Sequence, residues 1–423
     1  MKKMNTTAIS GMQELMPEAQ ATFDRLKDKI SEVYHQHGFL SIETPMIERS
    51  EILLAKAGGD TEKQIYKVVK TAETVDDADQ ALRFDHTVPL ARYIVEHESA
   101  LSFPFKVTQI GRNYRGERAQ KGRFREFYQC DVDVVGRGSL PLYYDADVIA
   151  TLLDVFSEFK LDTPVLARIS NRKILSGLIA EYNLEAKASE IFNIIDHAEK
   201  VPEEKTKSAF FEIDLGSERV ETMMSFIEIH GGRKEVVAEL KNLSISNDTF
   251  ISGVNELDEV MKLLEIDGYT ESISADMKIV RGLDYYTGTV FEFNLPEYSH
   301  IGSVCGGGRY DNLTGYFTDQ KFPGVGGSIG LTRLFYVLAE NNLVKSQEEK
   351  SVDVAVIPIT NDELEYSMKV AREWRSKGNK VTVVAGDKRL GDKLTYAAKI
   401  AKNAIVLGEN EAKTGNYEVK KFN

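Results

Sequence analysis

The sequence predicts an α+β fold, in which an antiparallel sheet with flanking helices and a helical insertion is followed by a small C-terminal α/β domain. Two β-rich runs, 105–110 and 126–135, flank an arginine-dense loop, which is typical of paired antiparallel strands. From about 168 to 270, apolar residues recur at helical spacing with few strand signals. From residue 352 onward, β and α patterns alternate, which indicates a largely parallel sheet.

The chain begins with the pattern of an amphipathic helix followed by an extended segment. After Pro17, apolar side chains recur at helical spacing up to a stop at Gly38, and residues 39–44 read as extended. The recurring apolar residues are Phe23, Leu26, Ile30, Val33 and Tyr34. This pattern predicts a helix that packs one face on the sheet.

The second β-rich run carries polar residues on one face. Because successive side chains of a strand point to opposite faces, Gln129, Asp131 and Asp133 share a face. These side chains could line a polar pocket or simply face solvent, and the pattern alone leaves both interpretations open.

Helical patterns in the insertion cover 174–180, 188–195, 219–229 and 254–264. A strand at 290–293 follows, and then two glycine-rich segments, 302–308 and 324–330. Such glycines predict either a close approach of the backbone to a ligand or tight turns between packed strands.

The pattern changes after a polar stretch at 341–349, and we place a domain boundary near residue 345. Strands are predicted at 352–359, 380–384 and 404–407, and helices at 362–377 and 390–402. We therefore expect a domain of residues 1–345, with a mainly helical insertion at about 168–270, and an α/β domain of residues 346–423. The length of 423 residues also predicts two or three hydrophobic cores, since domains average roughly 150 residues.

Composition narrows the class of protein. A net charge of −13 argues against unspecific coating of DNA or anionic membranes, although it permits a local basic groove. No apolar run approaches the roughly 20 residues needed to cross a bilayer, so no membrane association is expected. Two cysteines are too few for a disulfide scaffold, which favours the cytoplasm.

Positively charged side chains are most concentrated in the arginine-dense loop, which holds five arginines and a lysine between residues 112 and 125. Guanidinium groups match phosphate geometry, so a polyanion is the expected ligand, with a solvated loop as the alternative. The glycine-rich segments fit neither a Walker A loop nor a Gly-x-Gly-x-x-Gly fingerprint. The seven histidines lack the spacing of a zinc site, and no metal ligand is expected.

Six motifs, in order along the chain, resemble the class II aminoacyl-tRNA synthetases and specifically the histidyl-tRNA synthetases. They are 47–51, which resembles the dimer-forming first motif, 82–87, the loop and strand at 111–129, the signatures at 281–286 and 307–311, and 330–334. The signatures at 281–286 and 307–311 distinguish this family from other class II enzymes.

The resemblance implies a class II catalytic sheet that activates L-histidine with ATP to histidyl-adenylate and transfers it to tRNA-His. ATP with Mg²⁺ would be a substrate, with no tightly bound cofactor, and the enzyme would be a homodimer. It implies Arg115, Arg281 and Arg333 as the catalytic residues around the α-phosphate. ATP would be bound by Arg115, Glu117, Phe127 and Arg333, with the adenine ring between Phe127 and Arg333.

The resemblance also implies the residues that bind histidine, which are Asp85, His86, Thr87, Arg115, Gln129, Asp133, Arg281, Tyr285 and Tyr286. Asp85, Thr87 and Gln129 would bind the α-ammonium group. Asp133 and Tyr286 would hold the imidazole ring, which Tyr285 would cover. Arg118 and Gln120 match positions that read the extra guanosine of tRNA-His in bacterial members.

Residues 350–423 resemble an anticodon-binding domain, which we expect to be shortened at its end. Its expected RNA contacts are Gly386, Arg389, Lys393, Lys399 and Lys402. Two other functions are alternatives: a non-catalytic histidine-binding paralogue, such as the regulatory subunit of ATP phosphoribosyltransferase, and a histidine-binding or tRNA-binding module with a degraded site.

Overall fold

The computed structural model describes residues 4–54, 62–72, 74, 78–119, 122–280, 286–344, 350 and 352–422. The chain divides into two compact units, Met1–Lys345 and Ser346–Asn423. No described helix is long and apolar enough to cross a bilayer.

The helices and strands of the first unit alternate irregularly along the chain. Its helices are α1 (Pro17–Gln36), α2 (Ser50–Leu54), α3 (Thr87–His97), α4 (Tyr143–Glu158), α5 (Arg172–Glu181), α6 (Ala188–His197), α7 (Glu203–Glu212), α8 (Ser217–Ile227), α9 (Arg233–Asn242), α10 (Asp248–Ile266) and α11 (Leu331–Glu340). Its strands are β1 (Leu40–Ser41), β2 (Ile47–Arg49), β3 (Lys67–Val68), β4 (Gln80–Leu82), β5 (Phe105–Tyr114), β6 (Glu126–Val135), β7 (Leu166–Asn171), β8 (His230–Gly231), β9 (Ile273–Asp276), β10 (Thr289–Asn294), β11 (Cys305–Tyr310) and β12 (Gly324–Ile329).

A nine-stranded sheet forms the centre of this unit, in the order β1-β5-β6-β12-β11-β10-β7-β9-β8. All its pairs are antiparallel except β1 with β5 and β7 with β9. The predicted fold class, with its antiparallel sheet, is therefore confirmed. A second, three-stranded sheet has the order β2-β4-β3.

Helices cover one face of the large sheet. The apolar side chains of the first helix that were predicted to pack on the sheet are buried there. Phe23 and Tyr34 of α1 are 4% and 0% exposed, and the Tyr34 hydroxyl donates to the main-chain oxygen of Cys130 at 2.9 Å. Phe335 of α11 packs edge-on against Phe23, with ring centroids 5.5 Å apart. Because β6 buries Cys130, Val132 and Val134 on this side, Gln129, Asp131 and Asp133 lie on the other face.

The segment from α5 to α10 is mostly helical, but strands β7 to β9 at its borders join the large sheet. Helices α5 and α10 approach so closely that a Cβ atom on Gly177 would lie 2.2 Å from the main-chain nitrogen of Phe250. The side chain of Asn171, the last residue of β7, accepts a hydrogen bond from the main-chain nitrogen of Lys173 at 3.0 Å. This cap begins α5 immediately after the strand.

The second unit consists of β13 (Val352–Pro358), α12 (Leu364–Ser376), β14 (Val381–Val383), α13 (Leu390–Ile400), β15 (Ala401–Leu407), α14 (Glu409–Thr414) and β16 (Val419–Lys421). Strands β14, β13 and β15 are parallel and β16 adds an antiparallel edge, so the predicted largely parallel sheet is confirmed.

One expected RNA contact in this unit is wrong. Lys393 is only 2% exposed, and its ammonium group donates to the main-chain oxygens of Pro358 at 2.9 Å and Ile359 at 3.4 Å. Its Nζ atom is used to tie α13 to the end of β13, so it is not available to a phosphate group.

Candidate active site

A pocket with about 390 Å³ of empty space lies on the face of the large sheet opposite α1. Its lining residues come from α3, the end of the arginine-dense loop and four neighbouring strands of the sheet or their borders. They are Asp85, Thr87, Arg115, Gln129, Asp131, Asp133, Tyr286, Gly306, Tyr310, Gly326, Gly327 and Ser328. The structure thus brings together six residues predicted to bind histidine, and the shared polar face of β6 is a pocket wall.

Strand register explains why distant parts of the chain meet here. Asp131 pairs with Ser328 of β12, Ser328 with Gly306 of β11, and Gly306 with Glu292 of β10. Paired residues lie on the same face of a sheet, so Asp131, Ser328 and Gly306 form one row across the pocket floor. The sequence pattern contained no signal for this pairing.

Glycines in the pocket floor leave space that the polar side chains of neighbouring strands occupy. A Cβ atom on Gly326 would lie 2.0 Å from Oδ1 of Asp133, and one on Gly324 would lie 2.3 Å from the ring of Tyr310. The glycine-rich segments form strands β11 and β12 and not the turns that one of our two interpretations expected.

Asp85 lies between β4 and α3 and points one oxygen into the pocket. Its Oδ1 atom accepts from the main-chain nitrogen of Val88 at 3.1 Å, while Oδ2 is buried without a hydrogen-bond partner among the described residues. Burial raises the pKa of Asp85 to about 6, although the Val88 hydrogen bond and the positive charge of Arg115 act to lower it. This carboxyl group is arranged to receive a hydrogen-bond donor or a cation.

Asp133 lies deeper in the pocket and is held by a tyrosine that the sequence did not predict. The Tyr310 hydroxyl donates to Asp133 Oδ1 at 2.8 Å. Burial and the neighbouring negative charge of Asp131 raise the pKa of Asp133 to about 8. This environment favours the protonated form of Asp133, and the Asp133–Tyr310 pair can then both donate and accept hydrogen bonds.

His86 does not line the pocket, so its predicted direct contact with histidine is wrong. Asp85 and Thr87 on either side face the pocket, and His86 turns towards the sheet. Its side chain is buried, with Nδ1 3.0 Å from Oδ2 of Asp131. His86 consequently lies behind a pocket wall and contacts one of the residues that forms it.

Arg115 joins the arginine-dense loop to the pocket. Its Nε atom donates to the main-chain oxygen of Phe84 at 3.1 Å, next to Asp85, and its guanidinium carbon lies 5.1 Å from the centre of the Phe127 ring. Glu117 lies 3.6 Å from Nη1 of Arg123. The loop therefore holds a cation at the pocket and an aromatic ring beside that cation.

Arg333 approaches the same loop from α11. Its Cγ atom lies 3.9 Å from the Cβ position of Gly122, and its Nη2 atom lies 3.4 Å from that of Gly302. The preceding Thr332 accepts from the main-chain nitrogen of Tyr128 at 2.7 Å, which fixes the start of α11 beside β6.

Comparison with known proteins places the whole chain in one family. A family model described as histidyl-tRNA synthetase matches residues 11–334, and an anticodon binding domain matches residues 353–423. The chain belongs to the histidyl-tRNA synthetase family. It is 42% identical to the histidine–tRNA ligase of Clostridium tetani over 424 aligned positions, which cover 99% of this chain and 95% of that protein.

Solved structures agree with membership of the histidyl-tRNA synthetase family. The crystal structure of histidyl-tRNA synthetase from Nostoc sp. PCC 7120 is 35% identical and superposes with a TM-score of 0.88, covering 99% of this chain and 95% of that one. A Bacillus halodurans protein, described as an ATP phosphoribosyltransferase regulatory subunit/histidyl-tRNA synthetase, has a TM-score of 0.80 at 22% identity, covering 96% and 99%. That second likeness shows the fold alone.

Three residues predicted from resemblance to the histidyl-tRNA synthetase family fall on parts of the chain that the structure does not describe. These residues are Arg281, Tyr285 and Gln120. Arg118 is exposed on the arginine-dense loop and does not line the pocket, in keeping with its separate prediction as a tRNA contact.

Proposed function

We propose that this chain is a histidine–tRNA ligase, which activates L-histidine with ATP and transfers the histidyl group to tRNA-His. The observation that carries the proposal is the pocket, where Asp85 and Asp133 lie with Arg115 in one concave site. A substrate with an ammonium group, a carboxylate and a neutral ring that both donates and accepts hydrogen bonds matches these groups.

In the first step, an oxygen of the histidine carboxylate forms a bond to the α-phosphorus of ATP. The bond from that phosphorus to the bridging oxygen of the β-phosphate breaks, and pyrophosphate leaves. Two anions approach each other, so fixed positive charge lowers the barrier. We assign this charge to Arg115 and Arg333, together with Arg281. ATP arrives with Mg²⁺ as substrate, and Phe127 and Glu117 are proposed to bind adenine.

In the second step, a hydroxyl of the terminal ribose of tRNA attacks the histidyl carbonyl carbon, and AMP leaves. We propose that Arg118 and Gln120 contact the acceptor end of tRNA-His. Residues 346–423 are proposed as the anticodon-binding domain, and residues 1–345 as the catalytic core with its helical insertion at about 168–270. The exposed Lys388 and Arg389 of the second unit offer positive charge to RNA.

Selection of histidine is proposed to rest on hydrogen bonds that other amino acids cannot make. The Oδ2 atom of Asp85, which has no hydrogen-bond partner among the described residues, would accept from the α-ammonium group. Asp133 with Tyr310 would pair with the imidazole nitrogens. A site of this kind rejects substrates that lack the matching groups by roughly 10⁴ to 10⁵. We also propose a cytoplasmic homodimer, in which both cysteines, Cys130 and Cys305, remain free.

The decisive experiment is histidine-dependent exchange of radioactive pyrophosphate into ATP by the purified chain, without tRNA. Exchange with histidine and with none of the other amino acids is the expected result. Arg115→Ala should lower exchange by roughly 10²-fold to 10³-fold, as for loss of a transition-state charge contact. Binding of histidine without any exchange by the native chain would instead support the non-catalytic paralogue.

A further inference from the structure

A continuous chain of hydrogen bonds runs through the floor of the pocket and into the protein behind it. Asn113 Nδ2 donates to Gln129 Oε1 at 2.8 Å, and Gln129 Nε2 donates to Ser328 Oγ at 2.8 Å. The Ser328 hydroxyl donates to Oδ1 of Asp131, whose Oδ2 atom lies 3.0 Å from Nδ1 of His86. We call these five residues the floor network. They come from β5, β6, β12 and the residue that precedes α3.

The floor network has one consistent direction, which starts from Asp131. The Ser328 hydroxyl donates to one carboxyl oxygen of Asp131, and His86 Nδ1 faces the other. The single hydroxyl proton of Ser328 is therefore committed to Asp131. Its oxygen must then accept from Gln129, which requires the NH₂ end of the Gln129 amide to face Ser328.

The other end of the network agrees with this direction. With the NH₂ group of Gln129 turned to Ser328, the carbonyl oxygen Oε1 faces the NH₂ group of Asn113. The reversed amide would set two NH₂ groups against each other and leave Ser328 with one proton for two acceptors. His86 completes the set by donating from Nδ1 to Asp131, beneath a wall that leaves the ring 1% exposed.

A buried cation on the far side of His86 supports the same assignment. Arg83 is 1% exposed, and its Nη2 atom lies 2.6 Å from the Cβ position of Gly111. Nε2 of His86 lies 3.2 Å from the same point and has no hydrogen-bond partner among the described residues. The nearby guanidinium charge disfavours a proton on Nε2, which agrees with Nδ1 as the nitrogen that donates to Asp131.

We propose that Asp131, held by His86 and Ser328, is a positioning residue that fixes the Gln129 amide with its oxygen available to the α-ammonium group of the substrate. An ammonium group can only donate hydrogen bonds, so Oε1 is the one atom of the Gln129 amide that can serve it. A reversed amide would present an NH₂ group to a cation. This inference rests on the proposed histidine site and adds residues that do not have to touch the substrate.

The test compares histidine with deaminohistidine, 3-(imidazol-4-yl)propionate, which keeps the ring and the carboxylate but lacks the ammonium group. In pyrophosphate exchange, Ser328→Ala should raise the KM for histidine by roughly 10-fold to 100-fold, the range for a hydrogen bond to a charged group. The KM for ATP, kcat and the inhibition constant of deaminohistidine should stay within about twofold, because none of them involves the ammonium group.

Conservative variants separate positioning from loss of structure. Asparagine places an NH₂ group where Nδ1 of histidine lies, so His86→Asn should keep a histidine KM near that of the native chain, whereas His86→Leu should raise it. Ser328→Thr retains the hydroxyl and should restore what Ser328→Ala loses. Thr108→Val is the matched control, because it removes a 2.8 Å hydrogen bond to the main-chain oxygen of the same Asp131 from the opposite face of the sheet.

The results distinguish the inference from the function on which it rests. Absence of histidine-dependent exchange by the native chain would contradict the proposed function, and calorimetric titration of histidine into each variant would still test the network. A rise in the deaminohistidine inhibition constant equal to the rise in histidine KM, or an unchanged histidine KM in both Ser328→Ala and His86→Leu, would overturn the positioning role.

Discussion

Three carboxyl groups, those of Asp85, Asp131 and Asp133, lie in one pocket, where burial is the main cause that raises the pKa of Asp85 and Asp133. Asp131 is satisfied by two hydrogen-bond donors, and its negative charge contributes to raising the pKa of both neighbours. The protonated form of Asp133, the group beside the Tyr310 hydroxyl, is therefore favoured. A ring with one donor and one acceptor nitrogen suits such a pair better than a fully charged side chain would.

The raised pKa of Asp133 predicts how stability depends on pH. The pKa is about 8 in the folded chain and 3.8 ordinarily, so between these pH values the folded state holds more protons than the unfolded state. The free energy of unfolding should consequently fall as the pH rises from about 4 to 8. The Asp133→Asn variant has no ionisable group at this position, so its free energy of unfolding should fall less over this pH range. The difference in free energy of unfolding between the variant and the native chain should therefore grow towards pH 8.

Urea unfolding followed by circular dichroism at pH 6 and pH 8.5 measures this effect. The only tryptophan, Trp374, lies in the second unit, so its fluorescence reports that unit and should be unchanged. Asp28→Asn, at an exposed position of α1, is the matched control. An equal pH dependence of the native chain and Asp133→Asn would show that this carboxyl group is ionised in the empty pocket.

Gly326 illustrates how little room the pocket floor leaves. A methyl group there would overlap Oδ1 of Asp133 at 2.0 Å and the main-chain oxygen of Val132 at 2.9 Å. Gly326→Ala should therefore displace Asp133 and lower kcat/KM for histidine by at least about 10-fold, since an imidazole partner is lost. Gly216→Ala, where no atom lies within 4 Å, should leave exchange unchanged. Pyrophosphate exchange by Gly326→Ala at the native rate would mean that the pocket floor accommodates the methyl group without displacing Asp133 from its working position.

At the scale of elements, the sequence predicted strands well where apolar residues alternate and poorly where glycine replaces them. The run at 126–135 has the bounds of β6, and the helix predicted from Pro17 is α1. Strands β11 and β12 carried too few β-branched or aromatic residues to be predicted in full, because contacts with their neighbours and not local propensity make them extended. Strand β5 runs on to Tyr114, since it pairs with β6 along its whole length.

The same distinction applies to the candidate site. Residues with a motif could be predicted, and six of them line the pocket. Asp131 lies on the polar face of β6 that the alternation predicted, whereas Ser328 and Tyr310 gain their position from strand register, which no local pattern in the sequence specifies. His86 was placed on the wrong side of the pocket wall, because a residue in a short turn between β4 and α3 can face either way.

A buried ion pair ties β11 to α4. Nε of Arg309 donates to both oxygens of Asp145 at 3.1 Å, and Nη2 also donates to the main-chain oxygen of Leu140 at 3.1 Å. Asp145 is 0% exposed and Arg309 is 6% exposed. Removing one partner should leave an unpaired buried charge, so Asp145→Ala should lower the free energy of unfolding by about 3 to 5 kcal/mol.

A double-mutant cycle checks this interpretation by urea unfolding of the native chain, Asp145→Leu, Arg309→Met and the double variant. The double variant should be less destabilised than the two single changes together, because no unpaired charge remains. Glu221→Ala, which removes the exposed partner of Lys207, is the control and should have little effect. Strictly additive changes would show that the two charges are stabilised independently of each other.

At the scale of the whole molecule, exposed apolar side chains occur along residues 40–47, a segment that begins at the edge strand of the large sheet. Strand β1 is the terminal strand of that sheet, and Leu40 within it is 62% exposed. Met46 and Ile47, at the start of the motif that resembles a dimer-forming segment, are 47% and 45% exposed. Edge strands and clustered apolar residues are favourable contact surfaces for a second chain.

We therefore expect light scattering to give twice the 47.5 kDa chain mass at micromolar concentration, with this surface joining two copies. Leu40→Lys combined with Ile47→Lys should shift the protein to the monomer mass, because each change buries a charge against an apolar partner. Ile266→Lys, at a 74% exposed position at the end of α10, is the matched control and should leave the dimer intact. A native monomer, or dissociation caused equally by Ile266→Lys, would exclude this edge as the dimer interface, since a closed two-fold assembly needs one specific self-complementary patch and not general surface hydrophobicity.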